Sequence, residues 1–290
     1  MITDLFGKYL APDVVRELLK DDLSDRLEGR HRDITILFSD LRGFTSLSEK
    51  LGPAETGHLL NTYFDSMIPL VFKWKGTLDK LIGDAIMAFF GAPLEIEDHP
   101  EQAAGCALLM IEAINALRLK NIPGAAELDL GIGINTGRAI VGNLGSKEFM
   151  DYTVIGDSVN LASRLESLNK VYGTHIIVSE YTAKFIGDRF QLRKLDTVKV
   201  LGKDMPVSIF ELMAPKEICD PKLPALAALF ESGVDKYSQR NWSAALNCFQ
   251  KALDIDPADQ PCQLYLQRIE RFVEAPPPDD WNGITVYDYK

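Results

Sequence analysis

Cysteine is scarce in this chain of 290 residues: there are four, at Cys106, Cys219, Cys248 and Cys262, with no C-x-x-C. That excludes a disulfide framework and a clustered zinc site, and it fits buried thiols in a reducing compartment. Histidine is as scarce, and His31, His58, His99 and His175 fall at no metal-ligand spacing. Basic charge is short too: 31 Lys+Arg against 42 Asp+Glu give a formal net charge of -11. Such a chain is a poor general binder of nucleic acid or anionic membrane, although a phosphate ligand bridged by metal ions stays open to it. No apolar run approaches the roughly 20 residues of a membrane-spanning helix. The start, MITDLFGKYLAPDVV, lacks the basic-then-apolar order of a secretory signal, so the expected location is cytoplasmic.

What is present is ordinary globular material. Hydrophobic residues at 46% and charged residues at 25% exclude global disorder. At roughly 150 residues per domain the length suggests two domains, or one large domain with an appendage. Residues 1–30 read as a helical linker, with Leu18, Leu19, Leu23 and Leu27 near helical spacing. From 31 to 213 strand and helix patterns alternate, which marks a mixed α and β domain. Ile34–Phe38 reads as a strand stopping at Ser39-Asp40, and 52–75 as a long helix ended by Gly76. GTLDKLIGDAIMAFFGAP reads as a hairpin, and Asp98 opens a helix reaching about Asn121. LDLGIGINTGRAIVGNLGS reads as a second strand pair with glycine punctuation. DSVNLASRLESLNKVYG is a helix, THIIVSE a strand, and VKVLGKDMPVSIFELM a closing strand pair. Residues 214–223 are a linker, 224–274 a helical segment, and 275–290 an extended tail that meets the body through Trp281, Ile284 and Tyr287.

Three features carry chemistry. Asp40 ends a strand and is followed by LRGFTSLSE, where Gly43 and hydroxyl residues lead into a helix. Such a turn aims backbone N–H groups and a positive helix end at an anion. A carboxylate beside it makes sense if a divalent cation bridges it to phosphate. Asp84 sits in the KLIGDAIM turn, and at period two Lys80 and Asp84 share a strand face. Asn160 and Arg164 stand at i and i+4 of the DSVNLASRLE helix, one suited to a ribose oxygen and the other to phosphate. Each feature singly has a bland reading, as a cap, a solvated lysine or a polar helix face. Gly131-x-Gly133-x-x-x-Gly137 is not a dinucleotide fingerprint, and Tyr63, Phe64 and Trp74 read as core or dimer-facing.

Together, F-S-D-L-R-G-F-T, K-L-I-G-D, G-I-G-I-N-T-G and Y-T-V-I-G-D-S-V-N-L-A-S-R-L-E resemble the class III nucleotidyl cyclase catalytic domain in motif, order and spacing, over about residues 31–213. The resemblance implies an α+β, ferredoxin-like sandwich and a head-to-tail homodimer. It implies two Mg²⁺ or Mn²⁺ ions held by Asp40, Asp84 and the Leu41 carbonyl, with Gly43, Phe44 and Thr45 cradling the β- and γ-phosphates. Lys80 and Thr153 would read the base, and Asn160 and Arg164 would orient the ribose and stabilise the transition state. Asp40, Lys80 and Asp84 are expected from one subunit and Thr153, Asn160 and Arg164 from the other. Of the late-strand lysines Lys199 and Lys203, Lys203 is the candidate for the terminal phosphates. Two-metal attack of the ATP 3′-hydroxyl on the α-phosphorus would give 3′,5′-cyclic AMP and pyrophosphate.

Lys80 can only donate, which suits adenine N1, and the Thr153 hydroxyl can accept from the 6-amino group. Guanine reverses both, so ATP is favoured. A guanylate cyclase and an inactive nucleotide- or protein-binding module stay as alternatives. Thr153, where most adenylyl cyclases of the family carry Asp, resembles the cyanobacterial-type and soluble adenylyl cyclase branch, which implies a bicarbonate response. The stretch FESGVDKYSQRNWSAALNCFQKALDIDP resembles one tetratricopeptide repeat, with Gly233, Ala245, Phe249, Ala252 and Pro257 at its spacing, and implies docking on the body or a protein partner. The leading helix looks like the segment joining a sensor to such a cyclase, so the chain is expected to be a fragment of a longer protein or a natural short form.

Overall fold

The structure, a computed structural model, describes residues 29–146, 150–200 and 205–287. The helix expected over 1–30 falls almost wholly outside them. The chain divides into two compact units, one ending at Glu166 and one beginning at Ser167.

Strand β1 (Arg30–Leu41) is the spine of the first unit. The β-branched and apolar run Ile34–Leu37 is buried on both faces, as a central strand requires. Antiparallel neighbours flank it: β3 (Ala85–Phe90) on one side and β4 (Leu130–Gly145) on the other. Beyond β3 lies β2 (Thr77–Ile82), and β5 (Met150–Ile155) folds back on the far end of β4. The helices are α1 (Phe44–Leu51), α2 (Pro53–Lys73), α3 (His99–Arg118) and α4 (Asp157–Tyr172). By period two, Ile34, Ile36 and Phe38 share a face, where they pack with Met87, Phe89, Val141 and Val154 and with Val159 and Ala162 of α4. Helix α3 lies against β1, β3 and β4, and α2 packs on α3 and β2.

Two expectations are corrected. The first strand runs on through Ser39 and Asp40 to Leu41, because β4 pairs with it residue for residue that far. The glycine-rich stretch is one strand of 16 residues rather than two strands. Two of its glycines serve close approach: a Cβ on Gly133 would collide with the Glu166 amide nitrogen and the Ala162 carbonyl oxygen of α4. A Cβ on Gly137 would stand 2.5 Å from the Ser158 hydroxyl. The expected long helix over 52–75 begins at Pro53 and ends at Lys73, preceded by the separate short α1.

The second unit holds β6 (Ile176–Ser179), α5 (Glu180–Ile186), β7 (Phe190–Val200) and β8 (Val207–Pro215), followed by α6 (Lys222–Ser238), α7 (Trp242–Ile255), α8 (Gln260–Glu274) and β9 (Thr285–Tyr287). Strand order is β6-β8-β7-β9. The segment expected to be helical is therefore three helices, beginning earlier than residue 224. It docks on β7 through buried charge. Arg193 of β7 pairs with Glu211 of β8 at 2.5 Å and with Asp259, the N-cap of α8, at 2.6 Å. Asp196 accepts from Arg268 of α8 at 2.7 Å, from Tyr172 at 2.6 Å and from Thr285 at 2.8 Å. The tail meets this body as expected: β9 pairs in parallel with β7, and Trp281 joins Tyr237, Trp242 and Phe272 in an aromatic cluster.

These contacts predict two stability effects. Gly133→Ala should cost about 2–4 kcal/mol, because backbone on the facing helix cannot yield cheaply, whereas Gly57→Ala, exposed inside α2 with nothing within 4 Å, should stabilise by about 0.5–1 kcal/mol. Chemical denaturation of the two variants checks the contrast. Burial holds the His99 imidazole, bonded to Thr35 at 2.8 Å, below its ordinary value of 6.5, against the opposing pull of Asp33 and Asp98. The native state thus binds fewer protons than the unfolded chain, so stability present above pH 6.5 is lost as the pH falls below it. Melting curves between pH 7.5 and about 5.5 should show that loss, and His99→Gln should flatten it.

Candidate active site

Strand β1 delivers Asp40 to its C-terminal end, and the chain then turns sharply. The Arg42 amide donates to the Asp129 carbonyl at 2.9 Å, and the Arg42 guanidinium pairs with the Asp129 carboxylate at 3.0 Å. Gly43, at φ 68, supplies the left-handed residue that caps α1, with open space where a Cβ would stand. Gly43 and Thr45 are exposed and Phe44 is half-buried, so the turn presents backbone to solvent.

The β1–β3 register pairs Ser39 with Ile86. Carried two residues further, it sets Leu41 opposite Asp84, which follows the left-handed Gly83 at φ 65 in the β2–β3 turn. Asp40, the Leu41 carbonyl and Asp84 therefore meet at one end of adjacent strands. An independent sign of this is Tyr63 of α2. Burial is the main cause that pushes its phenol well above the usual range; the facing Ser39 hydroxyl works against this, and the charges of Asp84 and Asp40 add to it. The Tyr63 and Ser39 oxygens face one another, yet neither completes a hydrogen bond of good geometry among the described residues. Tyr63 read from the sequence as core or dimer-facing, and its side chain is fully buried.

Two carboxylates and a carbonyl are hard oxygen donors, which suit Mg²⁺ or Mn²⁺ and not a thiol-seeking metal. No group of three or more His, Cys, Asp and Glu side chains that could hold an ion occurs among the described residues. The set is thus too small for a closed protein cage and fits ions that take further oxygens from a bound phosphate.

A second cluster lies where β2 meets β5. A bulge between Leu78 and Lys80 breaks the period of β2, so that neighbouring side chains Asp79 and Lys80 both reach β5. The Lys80 ammonium donates to the Thr153 hydroxyl at 2.9 Å and pairs with Asp79 at 2.7 Å. Thr153 in turn donates to both Asp79 oxygens, at 2.8 and 3.0 Å, and the Val154 amide donates to one of them at 3.2 Å. The Asp79 side chain has no solvent exposure, whereas that of Lys80 is 37% exposed. Here the structure corrects the expected division of labour. Lys80 and Thr153 are bonded within one chain, whereas the expectation drew them from different subunits. Period two had grouped Lys80 with Asp84, and the bulge is the reason it failed. Asp79 was not singled out from the sequence, since its burial comes from β5, far along the chain.

Helix α4 begins at Asp157, after Gly156, and carries Asn160 exposed and Arg164 half-buried. The Arg164 Nη1 is buried and has no hydrogen-bond partner among the described residues, a cost that a phosphate or carboxylate ligand would remove. Lys203 lies outside the described residues, and Lys199 is an exposed residue of β7. The four cysteines are free thiols, two of them buried.

The same region matches known proteins. Residues 27–213 match the family model described as the adenylate and guanylate cyclase catalytic domain. The terminal-differentiation-specific adenylate cyclase of Dictyostelium discoideum is 37% identical over 82% of this chain. The chain spans only 11% of that relative, and 31% and 37% of two further curated adenylate cyclases. The crystal structure of the adenylyl cyclase CyaB from P. aeruginosa aligns with a TM-score of 0.60 at 35% identity, covering 67% of this chain and 100% of that one. The guanylyl cyclase Cya2 aligns with a TM-score of 0.59 at 39% identity, covering 66% and 97%. With 187 consecutive residues matched, from 27 to 213, and the motif residues at the ends of β1, β2 and β5 and on α4, the chain belongs to the adenylate and guanylate cyclase catalytic domain family.

Proposed function

We propose that this chain is an adenylate cyclase, converting ATP to 3′,5′-cyclic AMP and pyrophosphate at sites shared by two copies of itself. The observation that carries the reading is the Lys80–Thr153 pair: a donor and an acceptor held 2.9 Å apart. Close structural likeness extends to both an adenylyl and a guanylyl cyclase, so overall similarity does not choose the base; the base-reading atoms do.

One protomer brings Asp40, Asp84 and the Leu41 carbonyl, which would hold two divalent ions over the triphosphate. Bound there, the ions would neutralise phosphate charge and ease ionisation of the 3′-hydroxyl. The backbone of Gly43, Phe44 and Thr45 offers N–H groups to the β- and γ-phosphates. The partner brings Lys80 and Thr153 to the adenine edge, Asn160 to the ribose, and Arg164, with its unsatisfied Nη1, to the charge that grows at the α-phosphate. The burial of Nη1 makes a hydrogen bond from it stronger than it would be in water. Asp40 or solvent takes the proton of the attacking hydroxyl. Lys203, bicarbonate stimulation through the Thr153 branch, and a cytoplasmic location belong to this reading by resemblance. The α6–α7 pair, read as one tetratricopeptide-like repeat, has Gly233 closed against the Phe249 ring and α6 packed on β7, which supports a bracing role over a peptide-holding one.

Purified protein given ATP and Mn²⁺ should form cyclic AMP, and Asp84→Asn and Arg164→Met should each lower kcat by about 10²-fold or more. Because Arg164 Nη1 is unpartnered, Arg164→Met should leave stability within about 1 kcal/mol of the parent. Cyclic GMP from GTP as the main product would replace this reading by the guanylate one, and no cyclic product from either nucleotide would favour the inactive binding module.

A further inference from the structure

We propose that Asp79 is the positioning residue that makes this site select adenine, by fixing the hydroxyl proton of Thr153. The inference rests on the adenylate reading and deepens it. A threonine hydroxyl is by itself ambiguous, since it can donate or accept. In this chain it is not free to choose. Its one proton is directed at the Asp79 carboxylate, whose oxygens stand 2.8 and 3.0 Å away. That carboxylate accepts only, has no solvent exposure, and also accepts from the Val154 amide at 3.2 Å. Reversing the hydroxyl would give up that bond and leave Oδ1 with Lys80 alone and Oδ2 with the longer Val154 amide bond alone.

The remaining valences then follow. Thr153 Oγ1 has two lone pairs, one of which receives Lys80 at 2.9 Å, and the other is left as an acceptor. Lys80 has three N–H bonds; one goes to Thr153, one to Asp79 at 2.7 Å, and the third belongs to its exposed part. The pair thus presents one donor beside one acceptor. That is the complement of adenine, with its N1 acceptor and 6-amino donor. Guanine sets its N1–H against the ammonium and its O6 against the oxygen lone pair, which is repulsive at both atoms. Asp79 touches no substrate in this account; it acts through Thr153 and Lys80.

The test is the ratio of kcat/KM for ATP over GTP in Asp79→Asn, with and without Thr153→Val. An asparagine can donate to Oγ1 and release its proton toward the cleft, so the ratio should fall by about tenfold or more. In the Thr153→Val background the same substitution should change the ratio markedly less, because no hydroxyl remains to be oriented and only the contact with Lys80 is lost. A purely structural role would lower both nucleotides alike, and an unchanged ratio in Asp79→Asn overturns the proposal. If the parent protein turns over neither nucleotide, the adenylate reading fails separately, and the same comparison is made on equilibrium affinities for ATP and GTP with Mg²⁺. If Asp79→Asn does not fold, neutron diffraction of the unaltered protein decides: the Thr153 deuterium between Oγ1 and Asp79 supports the proposal, and a deuterium pointing away from Asp79 ends it.

Discussion

A carboxylate with no exposure to water cannot stand alone in a protein, and Asp79 is such a group. Stripped of partners it would cost several kcal/mol. Its partners are the Lys80 ammonium, the Thr153 hydroxyl and the Val154 amide, which together tie β2 to β5. Two of the three are the residues that family resemblance assigns to the base. A buried charge thus does two things with the same bonds: it joins two strands, and it sets the polarity of the atoms that face the nucleotide. Solvated groups could not hold that polarity, because water would supply whichever partner was missing.

The other half of the site rests on register rather than charge. β1 is paired along its whole length with β4, and the turn after it is tied by Arg42 to Asp129, so Asp40 and Leu41 have little freedom. The β1–β3 register then guides where Asp84 falls, and the buried Tyr63 phenol is kept protonated by burial, with the charges of Asp84 and Asp40 adding to it. On the opposite side of β4, Gly133 lets α4 sit backbone against backbone, which carries Asn160 and Arg164 as one rigid pair. Loops contribute Asp84 and the left-handed glycines Gly43 and Gly83.

Much of this was legible in the sequence because it is local. The strand–turn–helix after Asp40, the Gly83-Asp84 turn and the i, i+4 spacing of Asn160 and Arg164 are each written within ten residues. What was misread depends on partners far away in the chain. The glycines of β4 look like turn punctuation until the Ala162–Glu166 backbone lies over Gly133. Lys80 looks like a companion of Asp84 until the bulge at Asp79 re-aims it toward Thr153. Asp79 itself was not singled out, since nothing beside it foretells that β5 will bury it. Ser39 and Asp40 likewise remain in the strand because β4 extends that far, with β3 pairing Ser39 as well.

The central claim is that the carboxylates and the Lys80–Thr153 unit belong to opposite halves of a cleft formed by two copies of the chain. Mixing two inactive proteins tests it directly. Asp84→Asn keeps the base-reading half intact, and Lys80→Met keeps the carboxylate half intact. Dissociated and reassociated together, they should recover cyclic AMP formation, because each mixed dimer has one undamaged site. Activity that stays at the level of the separate variants, in samples shown to contain mixed dimers, would place both residues in the same half and contradict the account.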